Sequence, residues 1–516
     1  MWRSWHANIL LIFFVFFNTP LASQDFVRVR NGMLYADGIP FSFIGANAYY
    51  LQQLAARGDT AHLQEVLAIA KSRGLRCIRT WGFFDSPDSL NPATIQYRPG
   101  RYNEHALRAL DYVLQQANLF GIKLIIPLVN NWEDFGGMNQ YVQWYAASHP
   151  KTAQPHILRD QFQSGREEVV HVEGIPGRSY RVHIAEGFVH DDFYRNEEIK
   201  QWYKSYIASV LSRVNTYNGR IYKNDPTVLA WELANEPRSS DRTGELVRSW
   251  VAELARHVKS IDQNHLLATG EEGFDVSEGW FHIGGYNNQS WLFDGTAGVS
   301  FSKNTQDPNI DIAGIHLYAD AWKIGVNNGN RWITDHADVS QRLGKPFILG
   351  EFGVQMNKSL VYEGWLNTLV NSATSGGLVW QLVYEGWRDV DGYSISCSGP
   401  AFSRTLVCDV LATSGLLIHE RDLGVLRPPM NSLLHPNFPN PFNEVTVIRY
   451  DLSSESRVQL EVFNELGQKV AALFEGWQSP GRYVRLFEGR GLASGVYFYN
   501  LRAGELAETK KMLYLK

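Results

Sequence analysis

Cysteine is nearly absent from this chain, with three residues in 516. A chain of that length then stands on a hydrophobic core and not on a disulfide framework. Cys397 and Cys408 lie close together in a turn-rich stretch and can bridge in an oxidising compartment, while Cys77 sits inside an apolar run and reads as a buried free thiol. An excess of positive charge is lacking too. Lys and Arg number 48 against 53 Asp and Glu, for a net charge of -5, and no basic stripe is present to follow phosphates, which argues against a nucleic-acid partner. No His-Glu-x-x-His, Cys-x-x-Cys, Gly-x-Ser-x-Gly or phosphate-binding loop occurs, so the chemistry reads as free of metal and of cofactor.

Long hydrophobic runs are missing except at the start. Arg3 and His6 precede an apolar run over 9–17, followed by Asn18, Pro20, Ala22 and Ser23. The run is shorter than the ~20 residues a bilayer span needs and has the layout of a secretory signal peptide, with cleavage expected near Ser23 and Gln24. No transmembrane segment is expected once it is removed.

What the chain does have is rhythm. Short apolar runs recur at 41–46, 75–80, 123–129, 228–233, 265–269, 310–315, 346–350 and 376–382, which makes eight strand candidates. Helical spacing fills the intervals: Leu63, Val66, Leu67 and Ala70 before Gly74; Leu107, Leu110, Val113, Leu114 and Ala117 before Gly121; Ile199, Trp202, Tyr203, Ile207, Val210, Leu211 and Val214 later. Continuously apolar strands alternating with amphipathic helices predict a parallel sheet covered on its outer face, and eight strands close a (β/α)8 barrel. An open doubly wound sheet is the alternative, but Gly45-Ala46-Asn47-Ala48 lacks the glycine spacing of a dinucleotide fold. A polar stretch at 159–188 interrupts the rhythm and alternates like a hairpin projecting from the barrel. After Leu426 the composition shifts to Arg427-Pro428-Pro429, and from 437 onward short alternating runs with turns at Gly467, Gly481 and Gly491 predict a small all-β sandwich. The expected division is a signal peptide at 1–24, a catalytic barrel at 25–426, a linker at 427–436 and the sandwich at 437–516.

Barrel chemistry sits just past the C-terminal ends of the strands. There, Trp231-Glu232-Leu233-Ala234-Asn235-Glu236-Pro237 ends one apolar run with an amide beside a carboxylate, and Gly350-Glu351 ends another. Splitting an acetal takes one carboxylic acid to protonate the leaving oxygen and one carboxylate to attack or stabilise the anomeric carbon, and Glu236 and Glu351 are the candidates. Asn235 can bond a sugar hydroxyl. Arg79 and Tyr318, after the second and sixth runs, can hold Glu351 ionised, and His316 can tune the proton on Glu236. Trp81, Trp132, Trp322, Trp380 and Trp387 fall at or after strand ends, where flat apolar faces would stack on sugar rings.

These residues resemble glycoside hydrolase family 5, within it the endo-β-1,4-mannanase branch, through RTWGF at 79–83, NNWEDFGGMNQYVQW at 130–144, DDFYRNEEIKQWYK at 191–204 and KNDPTVLAWELANEPR at 223–238. EEGF at 271–274, IHLYADAW at 315–322, GEFG at 350–353, and VWQLVYEG with DGYSI near the eighth strand continue the likeness. The resemblance implies retaining, endo-acting hydrolysis of mannan, glucomannan or galactomannan, with Glu236 as acid/base and Glu351 as nucleophile. It also implies that Trp81, Asn235, Tyr318 and Trp380 line the central sugar sites. A β-1,4-glucanase of the same family and a non-catalytic surface glycan-binding protein are the competing readings. The tail is similar to the type A sorting domain of the type IX secretion system, through PNPFN at 439–443, GLASGVYFYNLRAG and the closing KKMLYLK. That likeness implies an encounter with the secretion machinery and a final location outside the cell or on its outer surface.

Overall fold

Every one of the eight apolar runs becomes a strand of a single parallel sheet. They are β1 (Phe43–Asn47), β2 (Cys77–Arg79), β3 (Lys123–Pro127), β4 (Val228–Glu232), β5 (Leu266–Ala268), β6 (Ala313–Leu317), β7 (Phe347–Phe352) and β8 (Gly376–Val379). All of their residues are buried, as strands covered on both faces must be. The strand order runs from β5 through β4, β3, β2, β1, β8 and β7 to β6, and a parallel bridge between Ala268 and Ile312 brings the two ends together. The barrel is thereby nearly closed.

This computed structural model describes residues 25–149, 189–276, 279–281, 286–372, 374–397, 406–422, 432–443 and 445–516. The expected signal peptide, the insertion at 159–188 and the first half of the 427–436 linker lie outside the described residues. Among those described, no helix is long and apolar enough to cross a membrane.

At least one helix follows each strand on the outside, among them α1 (Thr60–Ser72), α2 (Glu104–Phe120), α3 (Glu197–Leu211), α4 (Glu245–Ile261), α5 (Phe301–Thr305), α6 (Asn328–Leu343), α7 (Lys358–Asn371) and α8 (Leu406–Asp422). Their boundaries have local causes. Asp59, Asn103 and Asn196 accept hydrogen bonds from the first-turn N–H groups of α1, α2 and α3, and α2 and α6 end on Gly121 and Gly344 in the left-handed conformation. The N-terminal strands Arg28–Arg30 and Met33–Ala36 pair antiparallel, and Val27, Leu34 and Phe41 pack against Phe43, Cys77, Ile125 and Leu229. That hairpin stops the N-terminal mouth of the barrel, which leaves the C-terminal mouth for chemistry. Burial pushes the Cys77 thiol well above its usual range, so it sits there as a neutral core group.

All eight strands differ from the expected bounds by a residue or more, and two of them by three residues at one end. The sixth run was expected at 310–315, but the strand spans Ala313–Leu317, with Ile312 making only the isolated bridge to Ala268 ahead of it. The eighth was expected to reach 382; β8 stops at Val379, and Leu382–Val383 pairs instead with Ile395–Ser396. An apolar run reports burial, not the partner.

The C-terminal strands are β9 (Val445–Leu452), β10 (Ser456–Asn464), β11 (Lys469–Gln478), β12 (Gly481–Glu488), β13 (Gly495–Ala503) and β14 (Leu506–Tyr514). They form a three-stranded sheet in the order Leu433–Leu434, β9, β12 and a four-stranded sheet in the order β11, β10, β13, β14. Alternate residues such as Ile448, Tyr450, Val458, Leu460, Tyr499 and Leu501 fill the space between them.

Cys397 and Cys408 are disulfide-bonded, with Cα atoms 5.9 Å apart, and tie the segment after β8 to the start of α8. Closing a loop this short restricts the unfolded chain by about 3 kcal/mol. Replacing both by Ser is therefore expected to lower the melting temperature by several degrees while turnover at 25 °C is retained, as calorimetry and an activity assay would read.

Candidate active site

Backbone contacts carry the chain past the end of β4 and aim two polar side chains. The Asn235 N–H donates to the Val129 carbonyl at 2.7 Å on the β3 side, and the Glu236 N–H donates to the Gly270 carbonyl at 2.8 Å on the β5 side. Glu236 adopts a left-handed backbone, φ 51°, which costs a non-glycine residue of order 1 kcal/mol or more and persists only where the surroundings enforce it. Gly270 makes the approach possible. With φ 78°, a Cβ there would stand 1.8 Å from the Ala234 carbonyl oxygen. Across the barrel, β6 and β7 pair so that His316 lies in register with Glu351, after an irregularity between Ile315 and His316.

A single cation organises the floor. Arg79, fully buried at the end of β2, donates from NH1 to Glu351 Oε1 at 2.5 Å and from Nε to Glu232 Oε2 at 2.8 Å. Its NH2 donates to Asn235 Oδ1 at 2.8 Å, and NH1 also reaches Asn47 Oδ1 at 3.3 Å. Burial alone would lower its proton affinity, but Glu232 and Glu351 more than offset that, so the guanidinium stays charged. The other oxygen of Glu351 accepts from the Tyr318 hydroxyl at 2.5 Å. Glu236 is held differently: its Oε2 accepts from the Trp132 indole N–H at 2.5 Å, and its Oε1 lies 2.7 Å from His316 Nδ1.

Facing atoms of Glu236, His316 and Glu351 all lie within 4.8 Å of one another. Burial raises the proton affinity of both carboxyls; His316 and Arg79 pull Glu351 back down, whereas Arg238, the Trp132 bond and Arg79 do so for Glu236. Two such groups cannot both ionise cheaply at this range, so one proton is shared out between them. Direct contact with Arg79 and Tyr318 makes Glu351 the better seat for the negative charge and leaves the proton to Glu236. Burial also lowers the His316 pKa, against the pull of the Glu351 carboxylate beside it. Although the trio has metal-ligand side chains, the fixed charge of Arg79 against Glu351 works against a cation here.

The loop after β3 brings Trp132 over Glu236. Gly136 and Gly137, φ 82° and 52°, pass so close to Asp85 and Asn130 that added Cβ atoms would sit 1.8 and 2.3 Å from their carbonyl oxygens. Asn130 Oδ1 accepts from the Trp132 N–H and from Asn235 Nδ2. Arg238 lies 5.0 Å over the Trp132 ring and 4.9 Å over Phe274, and is itself held by two 2.6 Å bonds to Glu272. Burial pushes Glu272 up to about 7 and its neighbour Glu271 up to about 8.

Of the residues expected from sequence, Arg79, Asn235, Glu236, His316, Tyr318, Glu351 and Trp132 converge on this one point. Trp380, half-buried, stacks on Tyr49 at 5.4 Å and forms the adjoining wall. Trp132, 40% exposed, offers an open face, but Trp81 and Trp322, 6% and 7% exposed, are largely covered by Tyr49, Phe83 and Phe135 and by Phe274 and Trp332. Trp387 packs on Tyr50 and Tyr384. Sequence reasoning passed over Asn47, Asn130, Glu232, Arg238 and Glu272; the signal for the first three was a polar residue at the end of an apolar run, the one already used for Glu236.

Residues 24–373 match the family described as GH family 5 beta-mannosidase-like, and residues 437–514 match the secretion system C-terminal sorting domain. Mannan endo-1,4-beta-mannosidase 1 of Oryza sativa subsp. japonica is 35% identical over 393 residues, 72% of this chain and 81% of that protein. The endo-beta-1,4-mannanase of Thermotoga petrophila superposes with a TM-score of 0.64 at 26% identity, covering 92% of this chain and 97% of that one. The endo-1,4-beta-mannanase of Rhizomucor miehei gives 0.61 at 29% identity, covering 77% and 100%.

An N–H donated to a carboxylate favours its charged form, so Trp132 holds the Glu236 pKa below where burial alone would set it. Trp132→Phe removes the donor and keeps a ring. The alkaline limb of the pH–rate profile is expected to move to higher pH, while the acidic limb, set by Glu351, stays in place.

Proposed function

The chain belongs to glycoside hydrolase family 5, in its beta-mannosidase-like group, and from that membership we infer that it is a secreted, retaining endo-β-1,4-mannanase. Its substrates are internal β-1,4-mannosidic bonds of mannan, glucomannan or galactomannan. The observation that carries the mechanism is the approach of Glu236 and Glu351 to within 4.8 Å. Retaining enzymes place their carboxyls ~5 to 5.5 Å apart, whereas an inverting enzyme needs room for a water between them.

In the first step a Glu351 oxygen bonds to the anomeric carbon as the glycosidic C–O bond breaks, and Glu236 gives its proton to the departing oxygen. In the second, water attacks the same carbon, Glu236 takes the water's proton, and the Glu351–carbon bond breaks to return the carboxylate. Arg79 and Tyr318 stabilise Glu351 whenever it is charged. His316 and Trp132 orient Glu236 through both halves of the cycle. Asn235, fixed by Arg79 and Asn130, presents its amide toward the sugar bound at the cleavage point, with Trp380 and the open face of Trp132 as stacking surfaces and Trp81 and Trp322 as the walls behind them.

We take 25–426 as the catalytic unit, 427–436 as its linker and 437–516 as the sorting unit. The sorting domain sends the chain through the type IX secretion machinery to the extracellular space or the cell surface.

Product chromatography after incubation with linear mannan, glucomannan, galactomannan and carboxymethyl cellulose tests the reading. Mixed short manno-oligosaccharides are expected from the mannans. Mostly mannose or mannobiose would mean exo action, and cleavage confined to the cellulosic substrate would overturn the assignment. Glu236→Gln should lower kcat by about 10²- to 10⁴-fold. Glu351→Ala should remove turnover with an unchanged circular-dichroism spectrum, and substantial residual activity would refute its role as nucleophile.

A further inference from the structure

In the tail's three-stranded sheet β12 is an edge strand, paired only with β9. Such an edge normally presents a row of unpaired N–H and C=O groups that invites another strand. Here the row is met by side chains of α7, the barrel helix that follows β7. Asn371 Oδ1 accepts from the Arg482 N–H at 2.9 Å while its Nδ2 donates to the Arg482 carbonyl at 2.8 Å. Asn367 repeats the pair on Val484, at 3.2 and 3.3 Å. Glu363 Oε2 accepts from the Leu486 N–H at 3.3 Å.

The two spacings agree for a geometric reason. Four residues of helix rise about 6 Å, and two residues of strand advance about 6.6 Å. Positions 363, 367 and 371 therefore meet positions 486, 484 and 482 in antiparallel order, each amide imitating one peptide group of a missing strand. Away from the exposed Asn371, the contact is also buried. Glu363 Oε1 accepts from Arg485 NH1 at 2.5 Å, and the Arg485 guanidinium lies 4.6 Å over Phe474 of β11. Val447 and Val484 join the hydrophobic cluster that fills the barrel's helical layer, with Leu486 packed beside them. Glu363, Asn367, Val484 and Arg485 are all buried.

We propose that α7 serves as a surrogate strand for the sorting sandwich. The ladder of Glu363, Asn367 and Asn371 caps the open edge of β12 and docks the tail on the enzyme as one body. The chain then travels as a unit and not as a barrel trailing a tethered domain, and β12 is closed to pairing with a second chain while the tail stays docked. This inference is independent of the substrate reading, and its failure would leave that reading untouched.

Strand alternation supplies an internal control. The N–H groups of Arg482, Val484 and Leu486 face the ladder, so those of Tyr483, Arg485 and Phe487 face β9. Hydrogen exchange on the full chain, resolved to single amides, is expected to show both sets protected. If Arg482, Val484 and Leu486 exchange at the rate of open amides while their neighbours stay protected, the tail is undocked in solution and the proposal is wrong. In an Asn367→Ala/Asn371→Ala variant, exchange at Arg482 and Val484 is expected to rise at least about tenfold, the change that losing one hydrogen bond per amide implies, with Tyr483 and Arg485 unchanged. Unaltered protection at all four in that variant would equally overturn the ladder.

Discussion

A guanidinium with no access to water is the constraint on which the rest of this active site depends. Arg79 is fully buried, and an unpaired charge in that position would cost several kcal/mol, so its donors must all find acceptors. They find them on β1, β4 and β7 at once: Asn47, Glu232 with Asn235, and Glu351. The same bonds that satisfy the arginine fix Glu351 and the Asn235 amide relative to each other. Glu232 takes no part in the proposed chemistry, yet it is required. Without its negative charge the arginine would face Glu351 alone, and the charge shared between them would shift.

The division of labour between two identical side chains follows from what surrounds them. Both carboxyls are desolvated, and desolvation favours the neutral acid for each. One touches a permanent cation and a phenol; the other touches an indole N–H and an imidazole. Pairs of titratable groups whose environments differ in this way separate into acid and base at one pH. His316 is placed to respond to both, 2.7 Å from Glu236 and 3.7 Å from Glu351, so a proton leaving Glu236 in the proposed first step would alter the field at a group both share.

Much of this was legible in the sequence because parallel barrel strands are buried on both faces and so read as unbroken apolar runs. Once the runs were found, the rule that chemistry sits at their C-terminal ends picked out Glu236, Glu351, Arg79, His316 and Tyr318. The bonds among them were not legible, since they join residues from β1, β2, β4, β6 and β7 whose spacing is set by barrel closure. Burial of individual tryptophans was not legible either: Trp81 and Trp132 both follow strands, but only the loop folded by Gly136 and Gly137 leaves an open ring face. Asn367 and Asn371 carried no signal at all. Two asparagines four apart on a helix look like ordinary surface until an edge strand is seen lying across them.

That last contact bears on how the enzyme can hold its tail without involving its site. α7 follows β7 directly, so the sorting sandwich grips the helix next in sequence to the strand that bears Glu351. The hydrogen bonds to Glu351, however, come from Arg79 on β2 and from Tyr318 just past β6, and those to Glu236 come from Trp132 after β3 and His316 on β6. None originates on α7. The barrel thus separates the two duties by layer: the inner rim holds the carboxyls, the outer helix holds the tail, and undocking the tail would leave these four bonds in place.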